Sequence, residues 1–156
     1  MRSLLARRIA DPQVMWLIDQ SLNSGAGIQA DECPPAYFPG DDLFVALRPR
    51  GLPIGNLTSQ FWANVYLHEL DMFVKHSLRC PAYLRYMDDT VLFSDDKAQL
   101  QDWKAAMQEF TASRLRLWQH PKKSVVFPVG VGIDFCGFRL YYPTHRRLRR
   151  QRAAYI

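Results

Sequence analysis

The chain has 156 residues, which is enough for one domain of ordinary size and short for two. Hydrophobic residues make up 48% of it and charged residues 22%, and these proportions exclude wholesale disorder. No apolar run approaches the ~20 residues that span a bilayer, and the N-terminus has no apolar segment followed by a small-residue cleavage site. The composition predicts a soluble, cytoplasmic protein that does not enter a membrane.

Cysteine and histidine residues are few and scattered. Cys33, Cys80 and Cys136 are odd in number and form no Cys-x-x-Cys pair, so the sequence indicates neither a disulfide framework nor a structural zinc site. We expect reduced, partly buried thiols.

The net charge of +5 comes from a C-terminal tract, since the rest of the chain has as many basic as acidic residues. Such a tract could bind a phosphate backbone. A solvated helix start or a frayed tail is the alternative. Its arginines are Arg146, Arg147, Arg149, Arg150 and Arg152.

The first half of the chain predicts helices around an irregular connector. Residues 1–24 read as helical, and Asp11 followed by Pro12 is typical of a helix start, with the helix running to about Leu22. Residues 29–56 are rich in proline and glycine and predict the connector. A further helix is predicted from Thr58 to about Ser77 by an apolar stripe at helical spacing: Ala63, Tyr66, Leu67, Leu70, Phe73 and Val74.

The second half predicts mainly strands. Residues 81–94 read as two short strands, with Asp88 and Asp89 at the hairpin turn between them. Ser94 and Asp95 are expected to cap a helix whose apolar face is Leu100, Trp103, Met107 and Phe110. Residues 115–118, 124–127 and 134–142 look like three more strands. The fold class is therefore α+β, with an antiparallel sheet packed on helices.

The adjacent carboxylates of Asp88 and Asp89 are the first candidates for chemistry. Two unit charges about 4 Å apart repel by roughly 4 kcal/mol at an effective dielectric constant near 20. A divalent cation relieves that repulsion, and hard oxygen ligands at a rigid turn suit Mg²⁺. Two-metal phosphoryl transfer uses carboxylates in this way. A polar turn between two strands is the plain alternative.

Four segments, in order, resemble the reverse transcriptase family. Tyr86-Met87-Asp88-Asp89 resembles its catalytic hairpin, and residues 51–60 (GLPIGNLTSQ) resemble the loop that faces template and nucleotide. The helix segment 63–71 continues the match, and residues 135–140 (FCGFRL) look like the primer-grip hairpin. The loop variant with Ile54-Gly55 and Ser59-Gln60, together with residues 37–44, is most similar to the enzymes of diversity-generating retroelements.

The resemblance implies an RNA-directed DNA polymerase palm in which Asp88 and Asp89 are catalytic and hold two Mg²⁺ ions, with Mn²⁺ as a possible substitute. A dNTP, an RNA template, a DNA primer and a small basic accessory protein would be the partners. The residues implied in nucleotide or template binding are Pro53, Ile54, Gly55, Ser59, Gln60, Tyr86, Met87, Lys122 and Lys123. The implied primer grip is Phe135, Cys136, Gly137 and Phe138.

The individual residues also have simpler interpretations. Gly55 lets a backbone approach a nucleotide closely, but it also suits a plain turn before a helix. Tyr86 and Met87 could be ordinary strand packing, and Ser59 could be a residue of the first helical turn. We expect Arg85 to be a surface strand residue. Gly137 indicates a bulge or a close backbone approach.

One element that the family requires is missing. Its polymerases use a third metal-binding aspartate on an early strand, and Asp11, Asp19, Asp31, Asp41 and Asp42 do not follow such a strand. Residues 1–145 therefore read as a partial palm domain and 146–156 as a basic tail at the start of a truncated thumb, without fingers. We expect poor polymerisation or none from the isolated chain.

Two further classes of function stay open. The chain could be a non-catalytic remnant or scaffold that binds nucleic acid or a protein partner. It could also be an unrelated basic α+β domain, in which case the four ordered motifs are accidents. Metal binding that depends on Asp88 distinguishes the catalytic class from the remnant.

Overall fold

The computed structural model describes residues 1–24, 37–38, 40–42, 44–45, 57–136, 138–141 and 147–149. Within these residues the α-helices are α1 (Arg2–Ala6), α2 (Pro12–Asn23), α3 (Leu57–Met72) and α4 (Lys97–Phe110). The strands are β1 (Ala82–Tyr86), β2 (Asp89–Phe93), β3 (Ile133–Phe135), β4 (Phe138–Leu140) and β5 (Arg147–Arg149). Helices α3 and α4 continue as π-helical turns at Phe73–Ser77 and Thr111–Leu115, and a 3-10 turn covers Val129–Val131.

The helix starts follow from side chains that accept hydrogen bonds from free backbone amides. The predicted start of α2 is confirmed, because the Asp11 carboxylate accepts bonds from the amides of Gln13 (2.8 Å) and Val14 (3.3 Å). The predicted cap of α4 was wrong. Asp96 is the N-cap and accepts a bond from the amide of Ala98 at 2.8 Å, whereas the Ser94 hydroxyl supports the amide of Asp96 itself.

Helix α3 is the centre of the packing, as its predicted apolar stripe requires. Near its C-terminal end, Leu70 and Val74 join α4 and the β1–β2 hairpin in one core; the buried members are Leu70, Val74, Cys80, Trp103, Met107 and Leu115. At its N-terminal half, Trp62 joins α1 and α2 in a second core with Leu5, Met15 and Ile18. One helix therefore carries the packing of both cores.

Strands β1 and β2 form the predicted antiparallel hairpin, in register from Ala82 opposite Phe93 to Tyr86 opposite Asp89. Alternate side chains of a strand point to opposite faces. Tyr83 and Arg85 accordingly face α3 and are partly buried, while Leu84 and Tyr86 are 51% and 56% exposed on the outer face.

The three strands predicted after α4 need correction. Residues 115–118 form no strand, because Leu115 ends the π-helical turn in the core and Arg116, with φ of +52°, stops the helix there. Residues 124–127 follow a turn held by His120 and form no ladder with the described part of the chain.

The segment predicted as one strand at 134–142 is a hairpin instead. The chain reverses between β3 and β4, so that Phe135 lies opposite Phe138. Part of the basic tract, Arg147–Arg149, pairs with β4 as a third strand and is neither a helix start nor a frayed tail. The α+β class is confirmed, but the described residues form two separate antiparallel sheets, β1-β2 and β3-β4-β5, and not one.

Most of the predicted connector lies outside the described residues. Within the part that is described, the ring of Phe38 stacks on Trp118 with ring centroids 4.9 Å apart. The buried carboxylate of Asp41 pairs with Arg116. No helix of the described residues is long and apolar enough to cross a membrane.

Candidate metal and nucleotide site

Asp88 and Asp89 lie at the tip of the β1–β2 hairpin. Tyr86 and Asp89 pair across the strands, so the two-residue turn consists of Met87 and Asp88, and Asp89 is the first residue of β2 rather than a turn residue. Both aspartates are exposed. In the part of the chain that the structure describes, neither carboxylate accepts a hydrogen bond or pairs with a cation.

These carboxylates have the donor chemistry that Mg²⁺ and Mn²⁺ prefer, since both are hard oxygen ligands on a short, anchored turn. Among the described residues, no group of three or more His, Cys, Asp and Glu side chains gathers to hold a metal ion. The pair therefore fits as part of a ligand set whose other oxygens come from water, from phosphate groups or from residues outside those described.

The inner face of the hairpin is anchored to α3 by an ion pair. The guanidinium of Arg85 donates from Nε and Nη2 to the two carboxylate oxygens of Asp71, at 2.7 Å each. The Tyr83 hydroxyl donates to the same carboxylate at 2.8 Å. Only 11% of the Arg85 side chain is exposed, so the expectation of a surface strand residue was wrong: the carboxylate on α3 makes burial of the cation possible.

Burial and the contacts within this anchor shift the pKa values of its three ionisable side chains. Burial alone raises the pKa of the Asp71 carboxyl, but the hydrogen bonds donated by Arg85 and Tyr83 outweigh burial and leave the pKa below its usual value. Burial and the bond to Asp71 raise the pKa of Tyr83. The hydrogen bond to Asp71 also raises the pKa of Arg85. Asp71 and Arg85 are therefore a charged pair at neutral pH.

The α3 side of this anchor, Asn64 and Asp71, was not among the predicted site residues. A signal for it was present in the spacing. Asn64 and Asp71 are seven residues apart and therefore lie on one face of a helix. Tyr83 and Arg85 are two apart and lie on one face of a strand. A carboxylate on the packed face of a helix and an arginine on the inner face of a strand are typical of a partly buried pair.

The other predicted site residues lie in several places. Ser59 and Gln60 belong to the first turn of α3, where Ser59 is partly buried and Gln60 exposed. Pro53, Ile54 and Gly55 lie outside the described residues. Lys122 and Lys123 are exposed on a turn that backbone hydrogen bonds hold to His120. No hydrogen bond or ion pair within the described residues joins these lysines to the aspartates.

The predicted primer grip coincides with the β3–β4 hairpin. Phe135 and Phe138 form its last strand pair, and Cys136 occupies the turn with φ of +51°. Gly137 lies outside the described residues, so its predicted bulge or close approach stays a prediction. Cys136 is an exposed free thiol, whereas Cys80 is buried and burial raises the pKa of its thiol.

The candidate aspartates elsewhere have structural partners. Asp11 caps α2 and Asp19 pairs with Arg2 at 2.8 Å. Asp41 accepts a bond from the amide of Phe38 in addition to its pair with Arg116, and Asp42 accepts one from the amide of Phe44. Asp31 lies outside the described residues. These bonds give the four described carboxylates roles in folding.

Comparisons with known proteins provide no family assignment. A scan against models of protein families matches none of them, and a search of curated proteins finds no significant match. The resemblance of the four motifs therefore stays a prediction.

Proposed function

We propose that the chain is the palm part of an RNA-directed DNA polymerase, a nucleotidyltransferase that adds a dNTP to a primer 3′-hydroxyl on an RNA template. One observation carries this proposal: two adjacent, exposed carboxylates lie at the tip of a hairpin that a partly buried ion pair anchors to the central helix. An anchored turn presents charged oxygens at a defined place, which metal-assisted phosphoryl transfer requires.

Asp88 and Asp89 are the residues that would hold the Mg²⁺ ions, with Mn²⁺ as a substitute. When bound, such ions stabilise the charge on the attacking and leaving oxygens of phosphoryl transfer. The other side chains of the site would bind and orient the nucleotide and the primer. The ammonium groups of Lys122 and Lys123 would neutralise nucleotide phosphates, and the exposed ring of Tyr86 would pack beside the primer end.

The remaining roles follow from the resemblance. The loop at Pro53, Ile54 and Gly55, continued by Ser59 and Gln60, would face template and nucleotide. The hairpin with Phe135, Cys136, Gly137 and Phe138 would hold the primer strand. A small basic accessory protein is a further proposed partner.

A non-catalytic remnant or scaffold is the second candidate. It is favoured by the finding that the described residues gather no third acidic ligand beside Asp88 and Asp89. A protein of this kind would bind nucleic acid or a protein partner, and its affinity for that partner would not depend on a metal ion at the hairpin.

Metal binding tests the proposal. The chain is titrated with Mn²⁺ and followed by electron paramagnetic resonance, beside the variants Asp88→Asn and Asp95→Asn. Asp95 is also exposed and acidic but lies outside the hairpin. We expect Asp88→Asn to weaken binding at least about 10-fold, since even partners outside the ligand set cost that much. Asp95→Asn should bind as the unchanged chain does, and equal binding by all three would contradict the proposal.

Primer extension on an RNA template with Mg²⁺ provides the second measurement. We expect little or no product from the isolated chain. Robust synthesis that Asp88→Ala abolishes would overturn that expectation and exclude the remnant. Binding of an RNA–DNA duplex with equal affinity in Mg²⁺ and in EDTA, together with no Mn²⁺ binding at Asp88, would favour the remnant.

A further inference from the structure

Arg85 makes a second set of contacts, and these reach the turn. While Nε and Nη2 bind Asp71, Nη1 donates to the side-chain oxygen of Asn64 at 2.8 Å and to the backbone carbonyl of Met87, also at 2.8 Å. The Met87 carbonyl belongs to the peptide that joins Met87 to Asp88. One guanidinium therefore connects α3 directly to the backbone that precedes the candidate metal ligand.

Met87 is held from its side chain as well. The Asn64 amide nitrogen lies 3.3 Å from Met87 Sδ, in the position of a donor to sulfur. Met87 has φ of +54°, a left-handed conformation that costs a residue with a Cβ roughly 1–2 kcal/mol. Bonds to both the carbonyl and the side chain of Met87 offset this cost, so the conformation of the turn depends on Arg85 of β1 and on Asn64 of α3.

The chemistry of the network requires arginine. A guanidinium presents its donors in a planar fork, which allows a bidentate pair with one carboxylate and further bonds from the remaining nitrogen. A lysine ammonium has the same charge, but it is a compact group that cannot span Asp71, Asn64 and the Met87 carbonyl with this geometry. Replacing Arg85 by lysine therefore tests the fork while it keeps the charge.

We propose that Arg85, held by Asp71 and Asn64, is a positioning residue that sets the peptide between Met87 and Asp88 and thereby the direction of the Asp88 carboxylate. The part of this inference that concerns a metal ion rests on the proposed function. The part that concerns the turn does not, because it follows from the hydrogen bonds alone.

Methyl NMR tests the turn without any metal. The chain has five methionines, so ¹³C-methyl-methionine labelling yields a simple spectrum, in which Met87→Leu assigns the Met87 signal. We expect Arg85→Lys and Asn64→Ala to shift the Met87 methyl and to leave in place the methyls of Met1 and Met15, which pack in the second core. Arg2→Lys is the control, because Arg2 also pairs with a carboxylate, donating from Nε to both oxygens of Asp19, but lies exposed on α1, away from the hairpin.

Mn²⁺ affinity of the same variants tests the link to Asp88. We expect Arg85→Lys to weaken Mn²⁺ binding by about 10-fold, the usual effect of removing a partner of a metal ligand, and Arg2→Lys to leave it unchanged. A merely structural role would leave the affinity of the folded chain unaltered, and that result overturns the positioning role. If Arg85→Lys does not fold, Asn64→Ala is measured instead. This variant keeps the ion pair between Arg85 and Asp71, and its Mn²⁺ affinity shows whether the network affects metal binding at Asp88.

The outcomes separate this inference from the proposed function. A Met87 signal that does not move in Arg85→Lys or Asn64→Ala overturns the inference, whatever the chain does with metal. Absence of Mn²⁺ binding by the unchanged chain counts against the proposed function, and the Met87 shift then still decides whether the network holds the turn.

Discussion

Asp71 bears the negative charge that allows Arg85 to be buried beneath the hairpin. Its folded-state pKa lies below the usual value, so its contribution to stability is complete above that usual value, about 3.9. The contribution is lost as the pH falls through the lower, folded-state value. The unfolding free energy should therefore decline as the pH falls below about 4.

Asp71→Asn should remove this part of the pH dependence. At pH 7 we expect a loss of about 2 kcal/mol, because charged hydrogen bonds to Arg85 disappear, and the difference from the unchanged chain should narrow at acid pH. Urea unfolding between pH 2 and pH 7 measures both quantities. Asp95→Asn serves as the control at an exposed carboxylate, and curves for Asp71→Asn that run parallel to the unchanged chain would contradict the argument.

Helix α4 shows how local chemistry decides the start of an element. Asp96, not its neighbour Asp95, accepts the bond from a free helical amide. We expect Asp96→Ala to cost about 1 kcal/mol of unfolding free energy, which is the typical value of an N-cap. Asp95→Ala should stay within about 0.5 kcal/mol of the unchanged chain, as surface substitutions usually do. Urea unfolding compares the two, and equal losses would show that the cap is assigned wrongly.

At the scale of the whole molecule, α3 joins both hydrophobic cores. Leu70 is 4% exposed in one core and Trp62 8% exposed in the other. We expect Leu70→Ala to lower the unfolding free energy by about 3 kcal/mol, through lost apolar burial and the cavity left behind. The half-exposed Leu84 is the matched control, and Leu84→Ala should cost no more than about 1 kcal/mol.

The shared helix also predicts that the described core unfolds as a unit. Far-UV circular dichroism and tryptophan fluorescence should follow the same urea transition in the unchanged chain, as in other two-state domains. Two separated transitions would show that the cores around Leu70 and Trp62 are independent, and that α3 does not couple them.

Elements with strong local signals were predictable. The start of α2 at Asp11-Pro12, the apolar stripe of α3 and the hairpin around Asp88 each depend on neighbours within a few residues, and the structure contains all three. The strands predicted at 115–118 and 124–127 were wrong, because short apolar runs fit strands and buried helix ends equally well. Leu115 lies at the end of a helix, where its side chain is buried in the core that α3 and α4 form.

By itself, the sequence determined the α+β class, the order of the helices and the exposure of two adjacent carboxylates on a hairpin. These features follow from periodicity and turn chemistry, which are local. Only the tertiary structure decided that Arg85 is largely buried, that Asp71 and Asn64 hold it, and that this group reaches the carbonyl of Met87. The contacts of Arg85 with Asp71 and Asn64 join residues 14 and 21 positions apart, and only the packing of a strand on a helix brings them within hydrogen-bond distance.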